Sequence, residues 1–211
     1  MTLEKSFLKK FGENLSKNVK LSSYSWFNLG GNADYFFKAN DKNHLKEFLQ
    51  EADSKNLKVT ILGAGSNTLF RDNGVRGVVV KLGKEFSFIK KIDENILEVG
   101  AATLDRKVAN YAKDNSLTNL EFLSCIPGSI GGAVIMNSGC YDNDISKIII
   151  SINVLDKKKM IEKEIKKENI NFFYRGTDLS SDLIILSAKL RCSSGKKIEI
   201  EEKQNNQIGR A

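Results

Sequence analysis

At 211 residues with 41% hydrophobic content, the chain can bury an ample core in one domain or two small ones. Its net charge of +7 comes from lysines and arginines interleaved with acids, with no basic run longer than Lys157-Lys158-Lys159. That pattern reads as a solvated lysine-rich surface or as attraction for a small polyanion, and no recognition motif points to nucleic acid. No apolar run approaches the ~20 residues of a membrane span, and Met1-Thr2-Leu3-Glu4-Lys5 does not open a signal peptide. Cys125, Cys140 and Cys192 include no C-x-x-C pair, which fits reduced thiols and argues against a disulfide framework or a zinc site. A cytoplasmic protein is expected.

Leu3, Phe7, Phe11 and Leu15 recur every four residues and predict an amphipathic N-terminal helix. The aromatic segment Tyr24 to Gly31 ends in a glycine pair and is followed by a strand over Ala33 to Lys38. Asp41 is a good N-cap for a helix carrying Leu45, Phe48, Leu49 and Ala52. His44, the only histidine, reads as a lone surface residue, too little for a Ser-His-Asp triad. Lys58 to Leu62 is a strand running into Gly63-Ala64-Gly65-Ser66-Asn67-Thr68. A Rossmann fingerprint would need a third glycine where Thr68 stands and a helix afterwards, whereas Leu69 to Leu82 reads as turn then strand. A strand-loop-strand can still offer a nest of backbone N–H groups to a pyrophosphate, with Ser66 and Asn67 adding donors.

A second unit starts near Phe86, the change lying between Leu82 and Phe86. Phe86 to Ile92 and Ile96 to Ala101 predict a hairpin around Asp93-Glu94-Asn95, followed by a helix from Thr103 with Leu104, Val108 and Ala112 on one face. Next comes LSCIPGSIGGAVIMNSGCY, Leu123 to Tyr141, holding the chain's one proline, Pro127, among Gly128, Gly131, Gly132 and Gly139. The run Ala133 to Met136 suits a short buried helix whose start presents free N–H groups to an anion. A plain Pro-Gly turn into a core helix is the other reading.

Ile148 to Asp156 is a strand, Met160 to Ile165 its hairpin partner, and Lys166 to Asn171 a short helix or turn. Arg175 follows Phe172-Phe173-Tyr174 and precedes Gly176, a place suited to a fixed guanidinium aimed at a carboxylate. Leu183 to Arg191 is the last strand. From Ser193 the tail turns polar, and Ile198 and Ile200 alternate with charges, extending a strand or beginning a helix.

Four segments, SWFNLGGNADYF, ILGAGSNTLFRDNGVRGVV, LEFLSCIPGSIGGAVIMNSGCYD and FFYRG, stand in an order that resembles the UDP-N-acetylenolpyruvoylglucosamine reductases, flavoproteins of bacterial peptidoglycan synthesis. The resemblance runs from about Leu21 to Leu190. It implies an α+β, two-lobed FAD-binding domain of the vanillyl-alcohol-oxidase/PCMH type, not Rossmann, with lobes at 1–83 and 84–192. The implied reaction is NADPH-linked reduction of UDP-N-acetylglucosamine enolpyruvate to UDP-N-acetylmuramate. Gly63, Ala64, Gly65, Ser66, Asn67 and Thr68 would lie on the FAD pyrophosphate, and Ile126, Pro127, Gly128, Gly131, Gly132, Asn137 and Gly139 would border the cofactor. Tyr174 and Arg175 match the family's substrate-binding Tyr-Arg motif, the arginine stabilising the enolate formed on hydride transfer from the flavin.

The family normally continues into a third, substrate-binding domain that supplies a proton-donating serine and a glutamate paired with the arginine. Residues 193–211 stand where that domain would begin. The expectation is therefore a truncated reductase, monomeric when complete and incompetent for full turnover alone. The alternative is a FAD-binding remnant without reductase activity. Cys125 stands where the family often has glycine, and Gly176-Thr177 departs from the usual residues after the arginine.

Overall fold

The computed structural model describes residues 3–208, in two compact units, Met1–Glu85 and Phe86–Ala211. Among the described residues no helix is long and apolar enough to cross a membrane. Residues 1, 2 and 209–211 lie outside the description, as do the side chains of residues 3–6 and 208.

In the first unit, α1 (Leu3–Phe11), β1 (Leu15–Lys20), β2 (Asn32–Ala39), α2 (Lys42–Ser54), β3 (Val59–Leu62) and β4 (Val75–Leu82) follow in order. The strands make one sheet, β1-β2-β4-β3, with β1 antiparallel to β2 and the other two pairs parallel. The expected four-residue stripe stops at Phe11, because Gly12, at φ +50°, ends the helix and Leu15 opens β1. Phe7 and Phe11 meet Phe37 of β2 and Phe48 of α2 in one aromatic cluster; the Phe37 and Phe48 rings stack with centroids 3.7 Å apart. Burying side chains of this size stabilises by roughly 1.5–3 kcal/mol each. His44 belongs to this cluster, half-buried against Phe11 and Phe37, and is not the solvated residue expected. The neighbouring positions Phe36 and Val79 join Leu21, Ala33, Leu62 and Phe70 in a separate buried cluster. With apolar clusters against both Phe36 and Phe37, strands such as Val78-Val79-Val80 are apolar at consecutive positions.

The second unit holds β5 (Ile89–Asp93), β6 (Ile96–Gly100), α3 (Asp105–Asp114), β7 (Leu117–Thr118), α4 (Ile130–Ile135), β8 (Gly139–Cys140), β9 (Asn143–Asp144), α5 (Ile145–Ile148), β10 (Ile149–Asp156), β11 (Ile161–Lys166), β12 (Phe172–Phe173), β13 (Gly176–Thr177), β14 (Leu183–Arg191), β15 (Ser193–Ser194) and α6 (Lys197–Ile208). Its main sheet, β11-β10-β14-β6-β5, is antiparallel throughout. The Lys157-Lys158-Lys159 run is the turn between β10 and β11, where the Asp156 carboxylate accepts from the Lys158 and Lys159 N–H groups. Helix α3 starts at Asp105, and Leu104, expected on its apolar face, is exposed at the N-cap. The tail takes the helical option: Ile200 is buried, Ile198 is exposed, and buried Gln204 donates its side-chain N–H to the Ala109 carbonyl.

Candidate functional site

In the first unit, residues 63–74 connect two parallel neighbouring strands with no helix between them. Gly65 sits at φ +77°, and a Cβ there would stand 1.9 Å from the Tyr24 carbonyl oxygen, so only glycine lets the loop close on the aromatic segment. That segment holds the loop in shape. Trp26 N–H donates to the Gly65 carbonyl (3.1 Å) and Ser25 Oγ to the Thr68 carbonyl (2.6 Å). Lys81 Nζ donates to the Gly63 carbonyl (2.7 Å), and burial together with Lys38 lowers the Lys81 pKa below its ordinary value. By contrast, the N–H groups of Ala64, Gly65, Ser66 and Asn67 donate to no described residue. Ser23, Tyr24, Ser25, Trp26, Asn28, Ala64 and Lys81 line a pocket of about 490 Å³ beside the loop. It carries one cation and no carboxylate.

In the second unit, Pro127 is exposed at the centre of a tight turn closed by Gly128 N–H on the Ile126 carbonyl (2.9 Å). Gly131 and Gly132 do not form a turn ahead of a helix; they lie within α4 itself. The expected row of free N–H groups at that helix start is also reduced. Ile130 N–H donates to the Thr103 carbonyl (3.0 Å) and Gly131 N–H to that of Ala101 (2.9 Å), while Gly132 N–H donates to no described residue. Ile135 at the end of α4 is exposed, so the helix is buried on one side only.

Asn137, at φ +41°, has both ends of its amide engaged: Nδ2 donates to the Phe173 carbonyl (3.2 Å) and Oδ1 accepts from Ser146 N–H (3.1 Å). Gly139 opens the β8–β9 hairpin, where a Cβ would stand 2.2 Å from the Asn143 carbonyl oxygen. Its own carbonyl accepts from Arg175 Nη1 (3.3 Å). Tyr174 and Arg175 are the tip of the β12–β13 hairpin, Arg175 at φ +59°. The guanidinium lies 5.6 Å from the Tyr174 ring centre, and Tyr174 is 88% exposed. Arg175 forms no ion pair among the described residues. Thr177 Oγ1 donates to the Ile135 carbonyl (3.3 Å), so the hairpin is fastened to the end of α4. Ile126, Pro127, Gly128, Gly131, Gly132, Asn137, Gly139, Tyr174 and Arg175 therefore all lie in one unit, with the β12–β13 hairpin bonded to the segment from Ile135 to Gly139.

Sequence reasoning missed Asp105. It is fully buried, neither carboxylate oxygen has a hydrogen-bond partner, and a Cβ on Gly128 would stand 2.5 Å from Oδ2. Burial holds its pKa well above the usual carboxylate range. An acid in the first turn of a helix ordinarily reads as a solvated partner of the helix dipole, so nothing in the sequence signals its burial.

A family model described as an FAD-binding domain matches residues 33–162, more than half of the chain. The chain belongs to this family of FAD-binding domains. It is similar to the UDP-N-acetylenolpyruvoylglucosamine reductases of Pelagibacter ubique (strain HTCC1062), 38% identical over 92% of this chain, and Orientia tsutsugamushi (strain Ikeda), 40% identical over 93%. The chain spans 65% of the length of each of these relatives. The crystal structure of the reductase from Thermus caldophilus matches with a TM-score of 0.78 at 28% identity, over 91% of this chain and 67% of that one. An alkyldihydroxyacetonephosphate synthase shares the fold, with a TM-score of 0.64 at 13% identity over 90% of this chain and 40% of that one. The fold is thus the α+β FAD-binding type expected, and not Rossmann.

The residues present suit the group that gives this FAD-binding family its name. The N–H groups of Ala64, Gly65, Ser66 and Asn67 have no internal acceptor, and no acid lines the neighbouring pocket.

Proposed function

We propose that the chain is the FAD-binding part of an NADPH-dependent UDP-N-acetylenolpyruvoylglucosamine reductase, acting on UDP-N-acetylglucosamine enolpyruvate to give UDP-N-acetylmuramate. The observation that carries this reading is the likeness, across nearly the whole chain, to reductases of that name. The functional division we propose is 1–83 and 84–192 as the two cofactor-binding parts, with 193–211 where the rest of the longer relatives would begin.

In this reading the loop Gly63, Ala64, Gly65, Ser66, Asn67 and Thr68 takes the FAD pyrophosphate through its N–H groups. Ile126, Pro127, Gly128, Gly131, Gly132, Asn137 and Gly139 border the cofactor. FAD, when bound, supplies hydride transfer between NADPH and the enolpyruvyl double bond. Arg175 and Tyr174 bind the substrate. Resting on the Gly139 carbonyl and against the Tyr174 ring, the Arg175 guanidinium offers its remaining donors to the enolpyruvyl carboxylate and to the negative charge that grows beside it. Removing a donor of this kind costs about 3–4 kcal/mol of transition-state stabilisation.

The test is an absorption spectrum of the purified chain with FAD, before and after anaerobic NADPH. A bound flavin that bleaches with NADPH supports the reading. In a version completed to its relatives' length, Arg175→Ala should leave FAD binding nearly intact while slowing reoxidation of the reduced flavin by the enolpyruvyl substrate about 10²–10³-fold. Loss of FAD in that variant would refute the role given to Arg175. A flavin that binds but does not bleach would favour a second reading, a flavin-binding module without reductase activity.

A further inference from the structure

Two of the three cysteines, distant in sequence, meet in the second unit. The one-turn helix Glu121–Cys125 packs against β8, which ends in Cys140. Cys140 Sγ donates to the Phe122 carbonyl (3.3 Å), inside the turn that Cys125 closes, and Ser124 Oγ is 3.6 Å from Cys125 Sγ. Both cysteines are half-buried and free, and Cys125 is near enough to Cys140 to act on its thiol. Neither is absorbed by the proposed chemistry, yet Cys140 follows Gly139, whose carbonyl holds Arg175.

We propose that Cys125 and Cys140 form a reversible disulfide, made by exchange with a low-molecular-weight disulfide such as glutathione disulfide, which locks β8 to the 121–125 turn and with it the carbonyl on which Arg175 rests. The Cys125 thiolate attacks one sulfur of the small disulfide and releases one thiolate. Cys140 Sγ then attacks the mixed disulfide at Cys125 and releases the second, its proton passing to the departing thiolate. Two protein thiols are oxidised to one disulfide, and one small disulfide is reduced to two thiols.

The order of attack follows from the surroundings. Burial, and then the neighbouring Cys125, push the Cys140 thiol up to about 11, so it is the poorer external nucleophile and acts as the resolving partner. The positive charge of Arg175 opposes that shift and favours the Cys140 thiolate at the resolving step. Exposure of both sulfurs is partial, which suits a small disulfide as oxidant. Cys192, buried in the same unit, is the internal control. Only the consequence for Arg175 rests on the reductase reading; formation of the disulfide does not.

The experiment is direct because no lysine or arginine lies between Lys113 and Lys147, so one tryptic peptide carries both cysteines while Cys192 falls in another. The whole chain is equilibrated in buffers of rising glutathione disulfide to glutathione ratio, quenched in acid, denatured, alkylated with N-ethylmaleimide and digested. The expected result is that the 114–147 peptide passes from two tags to none in one step, two hydrogens lighter before tagging, while Cys192 keeps its tag. In Cys125→Ser and Cys140→Ser the remaining cysteine should stop at the glutathione mixed disulfide. Accumulation in the unsubstituted chain of singly tagged, singly glutathionylated peptide at every ratio, or linkage of either cysteine to Cys192 or to a second copy, would overturn the proposal. The readout uses neither flavin nor substrate, so its failure leaves the reductase reading untouched, and failure of that reading leaves the disulfide standing.

Discussion

Asp105 sets a pH dependence that no surface residue of this chain can match. Its carboxyl is buried without partners and stays protonated in the fold well above the pH at which the unfolded chain ionises it. The stability associated with the neutral form is fully present below the ordinary carboxylate pKa of ~3.9 and is lost as pH rises toward the folded value. Asp105→Asn should therefore be nearly neutral at low pH and gain stability relative to the unsubstituted chain as pH rises to 8. Urea midpoints at the two pH values measure the difference, and an equal effect at both would show that the carboxyl is not held neutral. What was legible at this scale was the residue whose type is constrained by the backbone: Gly65, because a G-x-G ahead of no helix marks a tight loop, and its φ of +77° requires glycine. Asp105 was illegible, since burial of an acid depends on what the Pro127-Gly128 turn lays over it.

At the scale of elements, the Asn137 amide and the Thr177 hydroxyl together join the end of α4 to the β12–β13 hairpin. Asn137 combines a left-handed backbone with two hydrogen bonds, to Phe173 and from Ser146. Asn137→Gly keeps the backbone conformation and removes the bonds, for an expected loss of about 1–3 kcal/mol. Asn137→Ala adds the left-handed penalty of about 1–2 kcal/mol. Thermal unfolding should place Asn137→Ala below Asn137→Gly and both below the unsubstituted chain; an Asn137→Gly melting temperature equal to that of the unsubstituted chain would show that these bonds do not hold the hairpin to the helix. Hairpins were the readable elements: β5–β6 and β10–β11 advertise themselves by alternation and by a polar turn. Strand β1 was missed because Leu15 to Lys20 carries polar residues at most positions and pairs along one side only. The α4 glycines misled because glycine ordinarily weakens a helix. Here a Cβ on Gly131 would stand 3.1 Å from the Cα-bound methyl of Ala101, so close packing decides.

For the molecule as a whole, the fold class followed from the family resemblance, but strand order could not be read. β14 lies between β10 and β6 although some thirty residues separate it from the former and still more from the latter, and local pattern says nothing about such pairings. The meeting of Cys125 and Cys140 was invisible for the same reason. Net charge, by contrast, is a property of the whole sequence and makes a prediction of its own. At +7 the surface should attract a dinucleotide diphosphate, so FAD affinity measured by titration should fall as salt rises from about 50 mM to about 500 mM, the range over which the screening length contracts severalfold. An affinity indifferent to salt would confine recognition to the uncharged loop donors.

Trp26, the only tryptophan, has its backbone N–H tied to Gly65 and its indole 63% exposed on the wall of the first unit's pocket. The protein thus carries its single indole beside the loop proposed to hold the diphosphate. Its ultraviolet emission, undiluted by any second indole, can report occupancy of that pocket in real time, with no label and no dependence on turnover.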